Sequence, residues 1–76
     1  MIEFSKQAMK EIERLDTDAK KRIRAAIEGL PFGDVKKLKG YAAVFRLRVG
    51  NWRIIFDMEA DNIRINHVLP RGDAYK

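Results

Sequence analysis

The sequence contains no cysteine, so neither a disulfide nor a thiolate metal site can reinforce its core. No apolar run approaches the roughly 20 residues that a membrane-spanning helix needs. Histidine occurs once, at His67, and no cluster of His, Cys or carboxylates has metal-ligand spacing. Asp57, Glu59 and Asp61 open like a calcium loop, but Asn62 and Val68 stand where such a loop needs glycine and glutamate. No glycine-rich phosphate loop is present. The opening Met1-Ile2-Glu3-Phe4 is too short and too soon charged to read as a signal peptide. These absences lead us to expect a cytoplasmic protein with no cofactor, no metal and no membrane contact.

A further absence is positional. From Lys36 to Phe56 there is no acidic residue, while Lys36, Lys37, Lys39, Arg46, Arg48 and Arg53 contribute six positive charges. Residues 1–35 carry seven basic and seven acidic side chains, and residues 57–76 carry three and four. The net charge of +5 is therefore local. A basic stripe held on a sheet suits a polyanion, with nucleic acid as the leading candidate.

With 76 residues, the chain has the length of one domain, taken here as 1–76, with a small core. Met1–Phe4 reads as a short strand and Ser5 as a helix N-cap. Ala8, Met9, Ile12 and Leu15 repeat at helical spacing. Asp16 or Thr17 restarts a second helix, which runs to about Gly29 and makes an αα-hairpin. Phe32 to Tyr41 reads as a loop. The period then changes to two, and Gly50-Asn51 fits a two-residue hairpin turn. That turn pairs Val49 with Trp52, Arg48 with Arg53, Leu47 with Ile54 and Arg46 with Ile55. A third strand follows over about Asn62 to Leu69 and ends at Pro70. The expected fold is α+β: an N-terminal strand, a helical hairpin and a three-stranded antiparallel meander with one face open.

On that open face Arg48 and Arg53 oppose each other, with Arg46 two residues along. Like charges directly opposed across strands cost up to roughly 1 kcal/mol. A solvated basic face with splayed stems is the bland reading. A phosphate site is the sharper one, since each guanidinium offers a planar fork of donors and a permanent charge. Tyr75 is either a small lid folded onto the sheet or a stacking platform for an unpaired base. Arg71 lies four residues earlier and can reach the same spot. Strict alternation puts His67 with Ile65 and Leu69 on the apolar face, while a bulge near Pro70 would swing it to the open face.

Ile2-Glu3-Phe4-Ser5, Lys37-Leu38-Lys39-Gly40-Tyr41, Phe45 to Phe56 and the ending Arg71-Gly72-Asp73-Ala74-Tyr75-Lys76 together resemble the RelE family of bacterial and archaeal type II toxins, within the RelE/ParE superfamily. The resemblance spans essentially the whole chain. It implies a microbial-RNase-like fold and a metal-independent, ribosome-dependent endoribonuclease that cuts mRNA in the A site. The 2′-hydroxyl attacks the adjacent phosphate, leaving a 2′,3′-cyclic phosphate and a 5′-hydroxyl. By resemblance, Arg46 and Arg48 are the two basic strand positions, and Arg53 stabilises the transferring phosphate. Arg71 assists the leaving oxygen, and Tyr75 stacks on a base and positions the 2′-hydroxyl. Lys36, Lys37 and Lys39 are expected to hold RNA or ribosome. The implied partners are a RelB-like cognate antitoxin, the ribosome and its mRNA, and operator DNA only as part of the antitoxin complex.

In the best-known pattern the two strand positions are lysines, one of them a proposed general base. Here both are arginine, and a guanidinium that stays protonated makes a poor base. The base then falls to Tyr75, His67 or a ribosomal group, or catalysis rests on charge stabilisation and alignment alone. Two other readings compete. One is a ParE-type toxin that poisons DNA gyrase without cutting RNA, against which Arg71 and Tyr75 argue. The other is a binding module whose arginines only hold RNA or antitoxin carboxylates.

Overall fold

Two polar side chains start the two helices. Ser5 Oγ accepts a hydrogen bond from the Ala8 N–H at 3.0 Å, and Asp16 Oδ1 accepts one from the Ala19 N–H at 2.7 Å. Each satisfies a donor that the first turn leaves without an intrahelical partner. The computed structural model describes residues 1–38 and 44–70. Its elements are β1 (Ile2–Phe4), α1 (Lys6–Glu13), α2 (Thr17–Glu28), β2 (Val35–Lys37), β3 (Val44–Val49), β4 (Trp52–Glu59) and β5 (Asn62–Pro70). Among the described residues, no helix is long and apolar enough to cross a membrane.

The strands form one sheet in the order β1-β5-β4-β3-β2. β1 runs parallel to β5, and the other neighbours are antiparallel. The β3–β4 hairpin has the register that the Gly50-Asn51 turn dictates, from Val49 opposite Trp52 to Arg46 opposite Ile55. Gly50 has φ 58, a left-handed conformation that side-chain-bearing residues rarely adopt.

Leu47, Ile54, Phe56, Ile63, Ile65 and Val68 from the sheet close a core with Ala8 of α1 and Ile23 and Ile27 of α2. Phe45 and Phe56 face each other across the hairpin with stacked rings 5.6 Å apart. The helical hairpin thus covers one face of the sheet, and the charged rows lie on the other.

Two features differ from the sequence reading. The segment read as a loop contains β2, so the meander gains a fourth strand and the sheet a fifth. Its three residues pair Val35 with Leu47, Lys36 with Arg46 and Lys37 with Phe45. Lys39 to Tyr41 of that segment lie outside the described residues. The second difference is a bulge on β5. Ile55 pairs with His67 but Phe56 with Ile65, so Asn66 is the extra residue. An extra residue inverts the alternation beyond it. Val68 therefore enters the core, and His67 and Leu69 move to the charged face, against the simple alternation that put both among the apolar residues.

Candidate functional site

On the face away from the helices, the register lines up two cross-strand rows. One runs Lys36, Arg46, Ile55, His67 across β2, β3, β4 and β5. The other runs Arg48, Arg53, Leu69 across β3, β4 and β5. The two rows are adjacent, two residues apart along each strand. Five side chains able to carry positive charge thus share one end of the sheet. Toward the other end the signs mix: Asp57 faces Arg64, which in turn faces Glu3.

The face expected to be open is solvated unevenly. Arg46 and Arg53 are only 9% and 8% exposed, and Ile55, on the strand of Arg53 and directly opposite Arg46, is buried, whereas Arg48 and Lys36 are exposed. Position in the sheet explains part of this. Ile55 and Arg53 sit on the central strand, flanked on both sides by long side chains whose aliphatic stems lie along the sheet.

Burial makes the partners of these guanidiniums decisive, because an unmatched buried donor costs about 1–3 kcal/mol. Arg53 Nη1 donates to the Trp52 carbonyl at 3.1 Å and to the Gly50 carbonyl at 3.4 Å, which ties it to the hairpin turn. Arg46 Nη1 lies 3.8 Å from Asp34 Oδ2, while its buried Nε has no partner among the described residues. The donors that solvent can reach on this face are those of the exposed Arg48 and Lys36, beside the largely buried Arg46, and guanidinium and ammonium groups of this kind suit an oxyanion.

Asp34 was missed in the sequence because it lies just outside the acid-free stretch. β2 brings it back: the Arg48 N–H donates to the Asp34 carbonyl at 3.0 Å, so the residue caps the row that contains Arg48 and Arg53. Its carboxylate is mostly exposed and its contact with Arg46 is long, so the pair contributes at most about 1 kcal/mol. Asp34 therefore competes weakly with any anion for Arg46. Asp34→Asn is expected to tighten binding of a labelled oligoribonucleotide roughly 1.5- to 5-fold at low salt, with the gain shrinking as salt rises. Fluorescence anisotropy at two ionic strengths measures this, and unchanged affinity at low salt contradicts it.

Of the residues singled out in the sequence, Arg46, Arg48, Arg53 and Lys36 share one face. Lys37 pairs with Phe45, whose ring faces the core, so Lys37 is carried on the opposite side of the sheet. Lys39, Arg71 and Tyr75 lie outside the described residues. His67 joins the basic face through the bulge. The described residues gather no group of three or more His, Cys, Asp and Glu that could hold a metal ion.

On the helical side an apolar groove of about 400 Å³ opens between β1, α1 and α2. Ile2, Phe4, Met9, Ile12 and Ile27 line it, and Glu13, Arg24 and Glu28 rim it. Phe4 and Met9 are exposed there.

Comparison with known proteins adds three findings. A family model described as the ParE toxin of the type II toxin–antitoxin system parDE matches residues 2–75. A protein of Methanocaldococcus jannaschii named Toxin RelE3 is 34% identical over 80 residues, covering 95% of this chain and 91% of that one. Two solved toxin–antitoxin structures have the same fold. In the RelB–RelE complex from Methanococcus jannaschii the matched chain is 33% identical with a TM-score of 0.79, covering 96% of this chain and 94% of that one. In the archaeal RelE–RelB complex from Pyrococcus horikoshii it is 28% identical with a TM-score of 0.75, covering 96% of both chains.

Proposed function

We propose, for a chain that belongs to the RelE-like toxins of type II toxin–antitoxin systems and has their α+β fold, that its activity is ribosome-dependent cleavage of mRNA in the A site. The observation that carries this reading is the arginine cluster. Arg48 and Arg53 are directly opposed, and Arg46 lies two residues along from Arg48 on the same face. Stability alone disfavours like charges set directly opposite each other, and a bound phosphodiester relieves that repulsion by supplying negative charge.

The chemistry follows from what guanidiniums do. They grip the phosphate in the ground state and gain strength as charge builds on its oxygens during 2′-hydroxyl attack. Arg46 and Arg53 would act from a partly dehydrated surface, where that interaction is stronger than in water. Arg48 and Lys36, both exposed, would bind the flanking backbone. Arg71 and Tyr75 complete this proposal from the C-terminal tail, Arg71 at the leaving oxygen and Tyr75 stacked on the base. Lys37 and Lys39 are assigned to ribosomal RNA. The reaction as proposed takes all its catalytic groups from side chains and uses no metal.

The silencing partner is a RelB-like antitoxin, as in the two archaeal complexes. The apolar groove beside α1 and α2 suits an amphipathic antitoxin helix, with Phe4 and Met9 as exposed anchors. Operator DNA would be contacted only as part of that complex, and the site of action is the cytoplasm.

Pulse expression followed by primer extension on translated mRNA tests the proposal. Breaks within codons are expected, and they should vanish when the antitoxin gene is co-expressed. The matching family description names ParE, which favours a second reading in which the chain inhibits DNA gyrase. The relatives named RelE weigh against it. Inhibition of gyrase supercoiling with intact mRNA would establish that second reading in place of the first.

A further inference from the structure

We infer that His67, braced by Glu11, is the general base of the proposed cleavage, the role that arginine cannot fill. The inference rests on the nuclease reading above and adds a catalytic residue to it.

The first support is the bulge. Without Asn66 as an extra residue, His67 would face the helices. With it, His67 lies directly across from Ile55, in the row of Arg46 and Lys36. Arg53 is its diagonal neighbour on β4, roughly 7–8 Å away at the Cα level.

The second support is that the bulge is anchored from outside the sheet. The Ser5 N–H donates to the Ile65 carbonyl at 2.9 Å, and Ser5 Oγ donates to the Asn66 carbonyl at 2.9 Å. On the far side of His67, the Val68 N–H donates to Glu11 Oε1 at 2.9 Å. The start of α1 and its Glu11 therefore clamp the residues on both sides of the histidine. Bulges re-aim side chains, and this one is fastened in place.

The third support is the carboxylate itself. Glu11 Oε1 is 3.6 Å from His67 Nδ1, too long for a hydrogen bond but within ion-pair range. Glu11 is largely buried, while the imidazole is 47% exposed. Nδ1 turned toward Glu11 leaves Nε2 for a substrate. A fixed carboxylate behind an imidazole orients the ring and stabilises the imidazolium formed when Nε2 takes a proton. The other charged groups around His67 are Arg53 and Asp57 on β4, Arg46 on β3 and Arg64 on its own strand. Imidazole is also the side chain that exchanges protons near neutral pH.

In the step assigned, His67 Nε2 takes the proton of the ribose 2′-hydroxyl as the 2′-oxygen bonds to phosphorus. The P–O5′ bond breaks, and O5′ leaves as a hydroxyl after taking a proton from solvent. The imidazolium then returns its proton to solvent, and nothing is oxidised or reduced. Glu11 is a positioning residue that does not touch the substrate.

The test is single-turnover cleavage of ribosome-bound mRNA by the purified full chain and by His67→Ala, His67→Gln and Glu11→Gln, with thermal melts to confirm folding. His67→Ala is expected to lose about a hundredfold or more in rate, with KM unchanged. Added imidazole should restore its rate in proportion to concentration, and the acidic limb of the pH–rate profile should disappear. Glu11→Gln should also lose rate, by less than His67→Ala, and keep KM. If the unmodified chain leaves mRNA intact, the nuclease reading fails and this one falls with it. If the unmodified chain cleaves and His67→Gln matches its rate and pH profile, only the role of His67 is overturned. A slowed His67→Ala that imidazole does not rescue, with the profile unchanged, also overturns it.

Discussion

Replacing Arg53 with alanine is expected to slow cleavage of ribosome-bound mRNA by about a hundred- to a thousandfold, the usual cost of losing one donor aimed at developing charge. The expectation rests on three observations. Arg53 is on the central strand, directly opposite Arg48, and only 8% exposed. Its charge is therefore poorly screened. Its Nη1 is bound to the Trp52 and Gly50 carbonyls, so the guanidinium is positioned before substrate arrives. A preorganised charge costs no reorganisation during the reaction. Arg53→Lys keeps the charge but loses the planar fork, and it should fall between the two. Because those turn contacts also brace the hairpin, each variant needs a thermal melt beside its rate. A folded Arg53→Ala chain that cleaves within threefold of the parent contradicts this role.

The second large effect is on stability. Phe56→Ala is expected to cost about 3–5 kcal/mol, since the ring is fully buried, stacked on Phe45 and central to the only core among the described residues. Roughly 0.05–0.15 kcal/mol per residue is typical of small domains, which for 76 residues is about 4–11 kcal/mol in total. The variant should therefore be close to unfolding at room temperature. Urea denaturation followed by circular dichroism should show a midpoint far below that of the parent, or no cooperative transition. A loss of under about 1 kcal/mol would mean that the core is centred elsewhere. The absence of cysteine sharpens this expectation, because no covalent bridge can compensate.

Some of this structure could be read from residue order and some could not. The hairpin was legible because Gly50-Asn51 leaves only one register that puts Leu47, Ile54, Phe45 and Phe56 on one side. That register by itself set Arg48 against Arg53. The helix starts were legible because Ser5 and Asp16 stand immediately before apolar stripes. β2 was not, since three residues cannot display a period of two and Lys36-Lys37 looks like solvated loop. Its pairing depends on the free edge of β3, a tertiary feature. The parallel docking of β1 on β5 also depends on how the helices return the chain, which no local signal records.

The bulge did leave a trace. Ile63, Ile65 and Val68 are spaced by two and then by three, which marks one inserted residue between Ile65 and Val68. Read as unbroken alternation, that segment sends His67 to the core. Read with the insertion, it sends His67 to the arginines. Asp34 leaves no such trace: it stands just outside the acid-free stretch, and only the β2–β3 pairing brings it to Arg46.

The most direct test of the central claim is to map the ends produced when the purified chain acts on ribosomes stalled with a defined codon in the A site. A cut inside that codon, with a 2′,3′-cyclic phosphate upstream and a 5′-hydroxyl downstream, is the predicted result. Full-length mRNA after prolonged incubation with folded protein would contradict it.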